Sequence, residues 1–441
     1  MGELGDRLQQ APTWLWLTAL AAVSLAERAL LAALYGPARY GDTPTYFRLA
    51  GVLMERGLGS YDATRVPGYP YFIGLLGQDE TAVWIGQLFL GILISLLFFY
   101  IGHSLTGSTP FAFLLGMLYN FTASLVLFEF NLLSETLTAF LLVLSVALFA
   151  RLRHRPGGVS GYVLALILGV VASLTGLTRT MFIFLPVILL PFVMFLGDDW
   201  RQRLQLGAVF SIGPLILLGG WIYFVYSHYD MLSPSTMGGY HLVQHTGAFF
   251  EKLPDSEANI RDIYLQYRDE QIAERGSQPN AIWDAIPALT EATGLSFFAL
   301  SAKLQELSWQ LIMENPLLYL RSVAEGWIDF WKAPVYWQPD QFSAGATIVR
   351  GWSLLGRGIS LLANALFLVF SSFVVVSSRF RERLDPPPLV IMGSVLILFS
   401  SVLQTLVDHG DNPRFLIPLQ MLVIALVAWA LWKLNSIRIR S

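Results

Sequence analysis

Residues 35–80 read YGPARYGDTPTYFRLAGVLMERGLGSYDATRVPGYPYFIGLLGQDE and lie between two long apolar runs. The stretch is rich in charged residues, aromatic residues, Gly and Pro. Asp42 stands just after the first apolar run, and Tyr46, Arg65 and a Pro-Gly-Tyr-Pro turn follow it. We expect this loop to hold a catalytic carboxylate at the surface of a lipid bilayer, with the neighbouring apolar helices as the frame that positions it.

The composition of the 441-residue chain is that of a membrane protein. Hydrophobic residues make up 55% of the sequence and charged residues 13%, whereas a soluble protein carries about 25% charged residues. The mean hydropathy is +0.56. The net charge of −3 gives no basic footprint, so we expect no nucleic-acid partner. The absence of cysteine excludes disulfides, thiolate metal sites and cysteine nucleophiles.

Apolar runs of the length of a membrane-spanning helix recur along the chain. Because about 20 apolar residues cross a hydrocarbon core about 30 Å thick, the sequence predicts about ten such helices. The predicted spans are residues 13–34, 81–102, 110–128, 134–150, 161–177, 181–197, 206–227, 352–376, 389–407 and 415–432. No small-residue cleavage site follows the first run, so we interpret it as a retained helix and not as a signal peptide.

Lys and Arg cluster in the connections that ten spans place on one side of the membrane. The clusters occupy residues 151–155, 201–203, 379–383 and 433–440. By the positive-inside rule this side is cytoplasmic, which predicts a multi-pass protein of the plasma membrane with both termini in the cytoplasm and loop 35–80 outside.

The large hydrophilic segment 228–348 falls on the same external side as loop 35–80. Amphipathic patterns predict four helices in it, at 257–275, 281–293, 295–314 and 316–331. We therefore expect a helical cap on the membrane surface, between an N-terminal transmembrane part, 1–227, and a C-terminal one, 349–441.

Three residues of the external face are the main candidates for chemistry. Asp42 opens an amphipathic helix, where an N-cap or Asx turn is the alternative role. Glu135 begins the fourth span, where the helix dipole alone already favours a carboxylate. Arg179 interrupts the apolar run 161–197, and a cation at that depth needs an anion, such as a lipid phosphate, to meet it.

Further residues of this face complete the candidate site. They are the cations Arg65 and Arg414 for a donor phosphate and, for substrate binding, Tyr46, Tyr69, His409 and Asp411. A solvated hairpin is the alternative for the turn that holds the last two. His241 and His245 are four residues apart, but no acid follows at a matching interval, so a metal site there has little support.

No motif for nucleotide-driven chemistry or serine hydrolysis, such as a Walker loop, Rossmann fingerprint, HExxH or GxSxG, occurs in a suitable context. Six other short motifs occur in order along the chain. They are Asp42 with Tyr46, RVPGYP at 65–70, SE at 134–135, LTR at 177–179, NPLLY at 315–319 and PRFLIP at 413–418. With these motifs the chain resembles, over nearly its whole length, the GT-C glycosyltransferases, and among them the protein O-mannosyltransferases and the lipid A aminoarabinose transferase. The resemblance implies an all-α, polytopic GT-C-like fold. It also implies that Asp42 lies at the catalytic centre and that Arg179 contacts the donor phosphate.

The reaction implied by this resemblance is an inverting transfer of a sugar from a polyprenyl-phosphate-linked donor to an acceptor hydroxyl of a lipid, glycan or protein. Asp42 would accept the hydroxyl proton, and the arginines would stabilise the leaving phosphate. Glu135 would hold a sugar hydroxyl or, beside Asp42, a divalent cation such as Mg²⁺ or Mn²⁺. Two alternatives remain open: a transporter or flippase of a lipid-linked sugar, and an enzyme like an O-antigen ligase or polymerase.

Overall fold

The computed structural model describes residues 11–333, 335–409 and 412–440, and these residues are almost entirely helical. The predicted all-α class is confirmed. In chain order the helices are α1 (Thr13–Leu34), α2 (Thr43–Arg56), α3 (Gly68–Leu75), α4 (Glu80–Thr106), α5 (Thr109–Phe121), α6 (Ala123–Phe128), α7 (Glu135–His154), α8 (Gly158–Thr178), α9 (Leu185–Met194), α10 (Trp200–Tyr229), α11 (Gly238–Thr246), α12 (Ala258–Arg275), α13 (Ala281–Thr293), α14 (Phe297–Glu314), α15 (Pro316–Phe330), α16 (Ala346–Val376), α17 (Ser378–Leu384), α18 (Pro388–Val407), α19 (Asn412–Phe415) and α20 (Ile417–Arg440).

Eight of these helices are long and apolar enough to cross a membrane: α1, α4, α7, α8, α10, α16, α18 and α20. The protein is therefore an integral, multi-pass membrane protein. A bent pair, α13 and α14, passes the same test only when taken together across a 102° bend. Local signals set several helix ends. Asp79 caps α4 by accepting from Ala82 N at 2.7 Å, and Gly107, at φ 68°, ends it.

The other two predicted spans are not continuous helices, so their predicted extents were wrong. Residues 110–128 divide into α5 and α6 at Thr122, which has an extended backbone conformation. Residues 181–197 form a 3₁₀ turn, Thr180–Phe182, followed by the ten-residue α9, with Pro191 inside it. Proline removes a backbone donor and clashes with the preceding helical turn, which keeps this segment from forming one long regular helix.

Contacts locate the ends of these two broken segments relative to neighbouring parts of the chain. The segment containing α5 begins after Ser104, which hydrogen-bonds His154. It ends at Phe130, whose carbonyl accepts from Ala38 N at 2.8 Å. The segment containing α9 begins beside Arg179 and ends at 195–203, where Arg203 Nε donates to the Gly197 carbonyl. Among the described residues, eight helices, or nine with the bent pair counted as one span, are long and apolar enough to cross a membrane, against about ten predicted spans.

The segment between α10 and α16 forms the predicted helical cap. Helices α11 to α15 pack around a hydrophobic core of their own, which includes the fully buried side chains of Tyr240, Tyr264, Leu289 and Leu304. The cap is tied to the membrane helices by Tyr319, whose hydroxyl donates to the Leu406 carbonyl. The amphipathic patterns therefore predicted α12 to α15 to within a few residues, whereas α11 was not predicted.

One isolated parallel bridge fixes the loop after α1 against the turn before α7. Ala38 N donates to the Phe130 carbonyl at 2.8 Å, and Leu132 N donates to the Ala38 carbonyl at 2.9 Å. Thr43 Oγ1 adds a hydrogen bond to the Leu132 carbonyl at 3.0 Å. Because of this pairing, the start of α2 and the start of α7 lie side by side.

A close approach of α3 to the end of α8 brings a further part of loop 35–80 to the same place. A Cβ atom added to Gly68 would lie 2.6 Å from the Leu177 carbonyl oxygen and 2.7 Å from Thr178 Oγ1. Only glycine allows two backbones to meet this closely. The Pro-Gly-Tyr-Pro turn thus sets the position of the residues just before it, including Arg65, relative to the end of α8.

A second buried polar network fastens α1 to α4, α5 and the turn after α6. Arg28 donates to both carboxylate oxygens of Glu129, at 2.8 and 2.6 Å, and to Asn120 Oδ1 at 3.1 Å. Gln87 donates to the Glu129 and Asn131 carbonyls. Both charged partners are buried, so neither can lose the other without a large desolvation cost. This network supports the turn that leads to Glu135.

Candidate functional site

Five charged side chains from distant parts of the sequence form one alternating chain of ion pairs. In space the order is Arg65, Asp42, Arg414, Glu135 and Arg179. Asp42 Oδ1 binds Arg65 at 2.9 Å and Asp42 Oδ2 binds Arg414 at 2.9 Å. Glu135 Oε1 accepts from both Arg414 and Arg179. Three guanidinium groups and two carboxylates leave this group of five with a net charge of +1, which favours an anion.

Asp42 uses both carboxylate oxygens to bind arginine side chains. It occupies the N-cap position of α2, but its side chain makes no capping hydrogen bond, so the alternative role as an N-cap is not adopted. Burial alone would raise the pKa of Asp42, yet the neighbouring guanidinium groups of Arg65 and Arg414 outweigh it and hold that pKa well below its usual value. Asp42 therefore stays ionised throughout the physiological pH range.

Glu135 lies behind the arginines and does not reach the cavity surface. Its side chain is fully buried, whereas that of Asp42 is 27% exposed. Arg179 binds Glu135 at 2.6 Å and lies over the ring of Phe415, 4.6 Å from its centroid. The anion that a cation as deep as Arg179 needs is thus the carboxylate of Glu135. Only Asp42, of the two acids, can touch a substrate directly. Glu135 holds Arg179 and Arg414 in position.

A polar cavity of about 150 Å³ opens beside this group. Asp42, Tyr46, Arg65, Arg179 and Arg414 line it together with residues of α8, α18 and the cap. A larger cleft of about 780 Å³, bounded mostly by apolar side chains of α9, α10 and the end of α18, adjoins it. The two spaces share lining residues, namely Thr180, Ser235, His241, Gln404 and Val407. A polar headgroup and an apolar chain could therefore occupy them as one molecule.

The structure brings only some of the aromatic and polar candidates to the cavity. Tyr46 lines it, and its hydroxyl lies 3.3 Å from Ser134 Oγ. Tyr69 is fully buried and donates to Gln87 inside the bundle, so it supports Tyr46 from behind and has no access to the cavity. His409 packs against His245 and is not among the cavity-lining residues. Asp411 lies outside the described residues.

Two titratable residues that line the cavity were not among the sequence-predicted site residues. His241, on α11, and Asp408, after α18, line the cavity, and His241 Nδ1 lies 3.2 Å from Asp408 Oδ2. The sequence carried a weak signal, because the spacing of His241 and His245 had been noted. Nothing local indicated that an acid from the turn after α18 would meet the first of these histidines.

The donor set does not fit a divalent cation at Asp42 and Glu135. Both oxygens of Asp42 and Oε1 of Glu135 are bound by guanidinium groups, which leaves only the buried Oε2 of Glu135 without a partner. Hard cations require several carboxylate and carbonyl oxygens that are free to coordinate. Within residues 11–333, 335–409 and 412–440, no group of three His, Asp or Glu side chains is placed to hold a metal ion. The expected Mg²⁺ or Mn²⁺ therefore has no supporting site among the described residues.

Comparison with known proteins finds structural relatives but no sequence relatives. No protein-family model matches the chain, and no curated protein sequence matches it. Among solved structures, the oligosaccharyltransferase AglB from Archaeoglobus fulgidus, in complex with an inhibitory peptide and a dolichol-phosphate, is similar over 94% of this chain and 50% of its own, with 14% identity and a TM-score of 0.51. The apo form of the same enzyme is similar over 95% of this chain and 50% of its own, with 14% identity and a TM-score of 0.51. ArnT from Cupriavidus metallidurans in the apo state is similar over 94% of this chain and 77% of its own, with 13% identity and a TM-score of 0.40.

The likeness to AglB identifies the fold. AglB is a GT-C superfamily membrane glycosyltransferase, and the chain has the same transmembrane fold, as the sequence resemblance predicted. The chain spans about half the length of AglB.

Proposed function

We propose that the protein is an inverting glycosyltransferase that moves a sugar from a polyprenyl-phosphate-linked donor to an acceptor hydroxyl. In this proposal the site faces the exterior and both termini lie in the cytoplasm, in accordance with the distribution of Lys and Arg. The observation that carries the proposal is the position of the charged group. Its net positive charge lies where the polar cavity meets an apolar cleft between membrane helices.

The three arginines are suited to bind the donor phosphate and to stabilise it as it leaves. Arg65, Arg179 and Arg414 line the cavity, and planar guanidinium groups match phosphate oxygens with paired hydrogen bonds. Because Asp42 and Glu135 already orient these groups, little reorganisation is needed when negative charge develops on the leaving phosphate. The aromatic face of Phe415 further restricts Arg179.

The apolar cleft is suited to the polyprenyl chain of the donor. It adjoins the polar cavity and is walled by membrane helices, so a lipid can enter it sideways from the bilayer. The solved AglB complex contains a dolichol-phosphate, which is a lipid of this class. Gly219 lines the cleft, and a Cβ atom added there would meet no atom within 4 Å. Gly219→Phe is therefore expected to fill the cleft without disturbing the fold.

Asp42 is suited to act on the sugar itself. Glycosyl transfer passes through a transition state with positive charge on the anomeric carbon. An acid that remains ionised and is partly exposed in the cavity stabilises such charge. Since a base needs a free oxygen, and both oxygens of Asp42 are held by guanidinium groups, we propose this electrostatic role for Asp42 in place of the proton-accepting role expected from the sequence.

The test is a transfer assay with the purified protein in proteoliposomes. A panel of prenyl-phosphate sugars is supplied with acceptor lipids, glycans and peptides, and products are identified by mass spectrometry. A new glycosidic bond with inverted anomeric configuration supports the proposal. Movement of the donor between leaflets without a new bond would instead identify a flippase. Activity restricted to pyrophosphate-linked oligosaccharides would identify a ligase or polymerase.

Variants in the polar cavity test the proposed phosphate binding, and variants in the apolar cleft test the proposed binding of the lipid chain. Arg179→Gln is expected to lower kcat/KM by about 10²–10³-fold, whereas Arg321→Gln, at an exposed arginine of the cap, should have no effect. Gly219→Phe should raise KM for a long-chain donor several-fold and leave a donor with one isoprene unit unaffected. Gly220→Phe is the matched control, because Gly220 is equally open but does not line the cleft. Equal effects of the two glycine variants would contradict the placement of the lipid chain.

A further inference from the structure

A histidine–aspartate pair lies at the boundary between the polar cavity and the apolar cleft. His241 lines both spaces, whereas Asp408 lines the polar cavity. Nδ1 of the imidazole lies 3.2 Å from Asp408 Oδ2, with the histidine side chain 27% exposed and that of the aspartate 10% exposed. Since Nδ1 faces the carboxylate, Nε2 on the other side of the ring is the nitrogen left for a molecule in the cavity.

The neighbouring groups do not offer an equivalent proton acceptor. His245, one turn further along α11, is fully buried, its Nδ1 lies 2.9 Å from Ser322 Oγ, and it does not line the cavity. Burial, with a contribution from His409, lowers the pKa of His245 to about 3. Asp42 has both oxygens bound by arginine, which makes it a weak base. His241 is therefore the cavity residue whose imidazole is placed to act as a general base.

We propose that His241 is the general base that takes the proton from the acceptor hydroxyl, and that Asp408 is a positioning residue that orients the imidazole. The proposal rests on the glycosyltransferase function proposed above. The acceptor oxygen forms a bond to the anomeric carbon while its proton passes to His241 Nε2. The bond from the anomeric carbon to the phosphate oxygen breaks, and its electron pair leaves with the prenyl phosphate. The imidazolium then releases its proton to water.

The groups around His241 and Asp408 favour the formation of the imidazolium. Asp408 stabilises the imidazolium that forms, as the buried acid does in other acid–histidine pairs. Trp283 of α13 packs edge-on against the ring, with centroids 5.7 Å apart, and limits its rotation. The titratable and charged groups around the pair are His245 on α11, His409 beside Asp408 and, lining the same cavity, Asp42, Arg65, Arg179 and Arg414.

The experiment compares His241→Gln and His241→Ala with the wild type in the transfer assay from pH 5 to 9. In the wild type, kcat/KM should rise with pH as the base loses its proton. We expect His241→Gln to lower kcat by about 10²–10⁴-fold and to remove this rise. Added imidazole should restore part of the activity of His241→Ala, with a pH dependence that follows the pKa of the imidazole or substituted imidazole used. Asp408→Asn should lower kcat with little change in KM for the donor.

His228→Ala is the matched control, because His228 is an exposed histidine at the end of α10 outside the cavity. It should keep wild-type kinetics and show no response to imidazole. The assignment is overturned if His241→Gln keeps the rising pH profile, or if His241→Ala is inactive and imidazole restores nothing. If the rise of kcat/KM with pH is lost in Asp42→Glu but kept in His241→Gln, the general base is Asp42 and not His241. If the wild type itself forms no glycosidic product, the proposed function has failed, which is a separate result.

Discussion

Replacing Asp42 by Asn should separate catalysis from donor binding. Asn keeps the size of the side chain but removes one negative charge, so the net charge of the five-residue group rises from the present +1 by one unit. An anionic phosphate bound on the far side of a guanidinium group would lie about 6 Å from the carboxylate, where two unit charges interact by about 3 kcal/mol at an effective dielectric constant of about 20. Donor binding should therefore be unchanged or tighter.

The rate should change in the opposite direction. A carboxylate about 4 Å from the anomeric carbon contributes about 4 kcal/mol toward the positive charge of the transition state at the same effective dielectric constant. Because each 1.36 kcal/mol is about tenfold in rate, Asp42→Asn should lower kcat by about 10²–10³-fold. Steady-state kinetics with a prenyl-phosphate sugar give kcat and KM, and calorimetry gives donor affinity in the absence of acceptor.

Asp255→Asn is the matched control for this substitution. Asp255 also binds an arginine, Arg261, at 2.9 Å, but it is 97% exposed on the cap, so its removal should change neither kinetics nor stability. A kcat within threefold of wild type in Asp42→Asn would refute the electrostatic role. A large rise in KM with unchanged kcat would instead indicate that Asp42 serves donor binding.

The same variant has a pH-dependent effect on stability. The folded-state pKa of Asp42 is lowered against the opposing effect of burial by Arg65 and Arg414, so its contribution is present above its unfolded pKa of about 3.9 and is lost as the pH falls below that value. At pH 7, Asp42→Asn should cost about 2 kcal/mol, and the difference from wild type should shrink as the pH falls below 4. Thermal unfolding at a fixed scan rate measures it. A difference that is independent of pH would contradict the ion pairing.

Three further substitutions test the frame around the site. Glu129→Gln should lower stability by about 3 kcal/mol, because the buried Arg28 loses its two-oxygen partner and keeps, of its charged partners, only the 3.3 Å contact to Glu27. Glu80→Gln, in an exposed pair, should cost less than about 1 kcal/mol in the same thermal unfolding assay. Gly68→Ala should cost about 1–3 kcal/mol and reduce transfer, because the added methyl group would meet a backbone carbonyl of α8 at 2.6 Å and displace the loop that carries the phosphate-binding arginine. Arg414→Lys should lower kcat/KM by about 10²-fold in the transfer assay, because a single ammonium group cannot bridge both carboxylates as a guanidinium does. Wild-type stability or transfer activity in any of these variants would contradict the role proposed for the substituted residue.

Much of the fold could be predicted from the sequence, because apolar helices and amphipathic helices each produce a recognisable pattern of hydropathy within a short stretch of chain. The cap helices α13 and α15 begin where the amphipathic pattern and Pro316 indicated. The division at Thr122 and the short α9 were not predicted, since hydropathy reports that a segment is apolar and not whether its helix is continuous. Asp42, Arg179 and Arg414 were singled out as unusual charges on one face, and the structure does bring them together.

The partners of those charges could not be predicted in the same way. The carboxylate of Asp42 meets an arginine 372 positions away, and His241 meets an acid from the turn after α18. A charge within an apolar run signals that an opposite charge is needed, but the sequence does not say whether the protein or a ligand supplies it. For Arg179 the protein supplies it through Glu135.

The sequence by itself determined the helical class and the long apolar helices, because each follows from residues within one helix or its adjoining turns. Only the tertiary structure decided that five charges form one alternating chain, that Tyr69 is a support and not a contact for the cavity, and that a histidine–aspartate pair stands beside the apolar cleft. The physical reason is that hydropathy and helix signals act over one or two turns of chain. Ion pairing and cavity shape depend instead on which helix ends the packed bundle brings together.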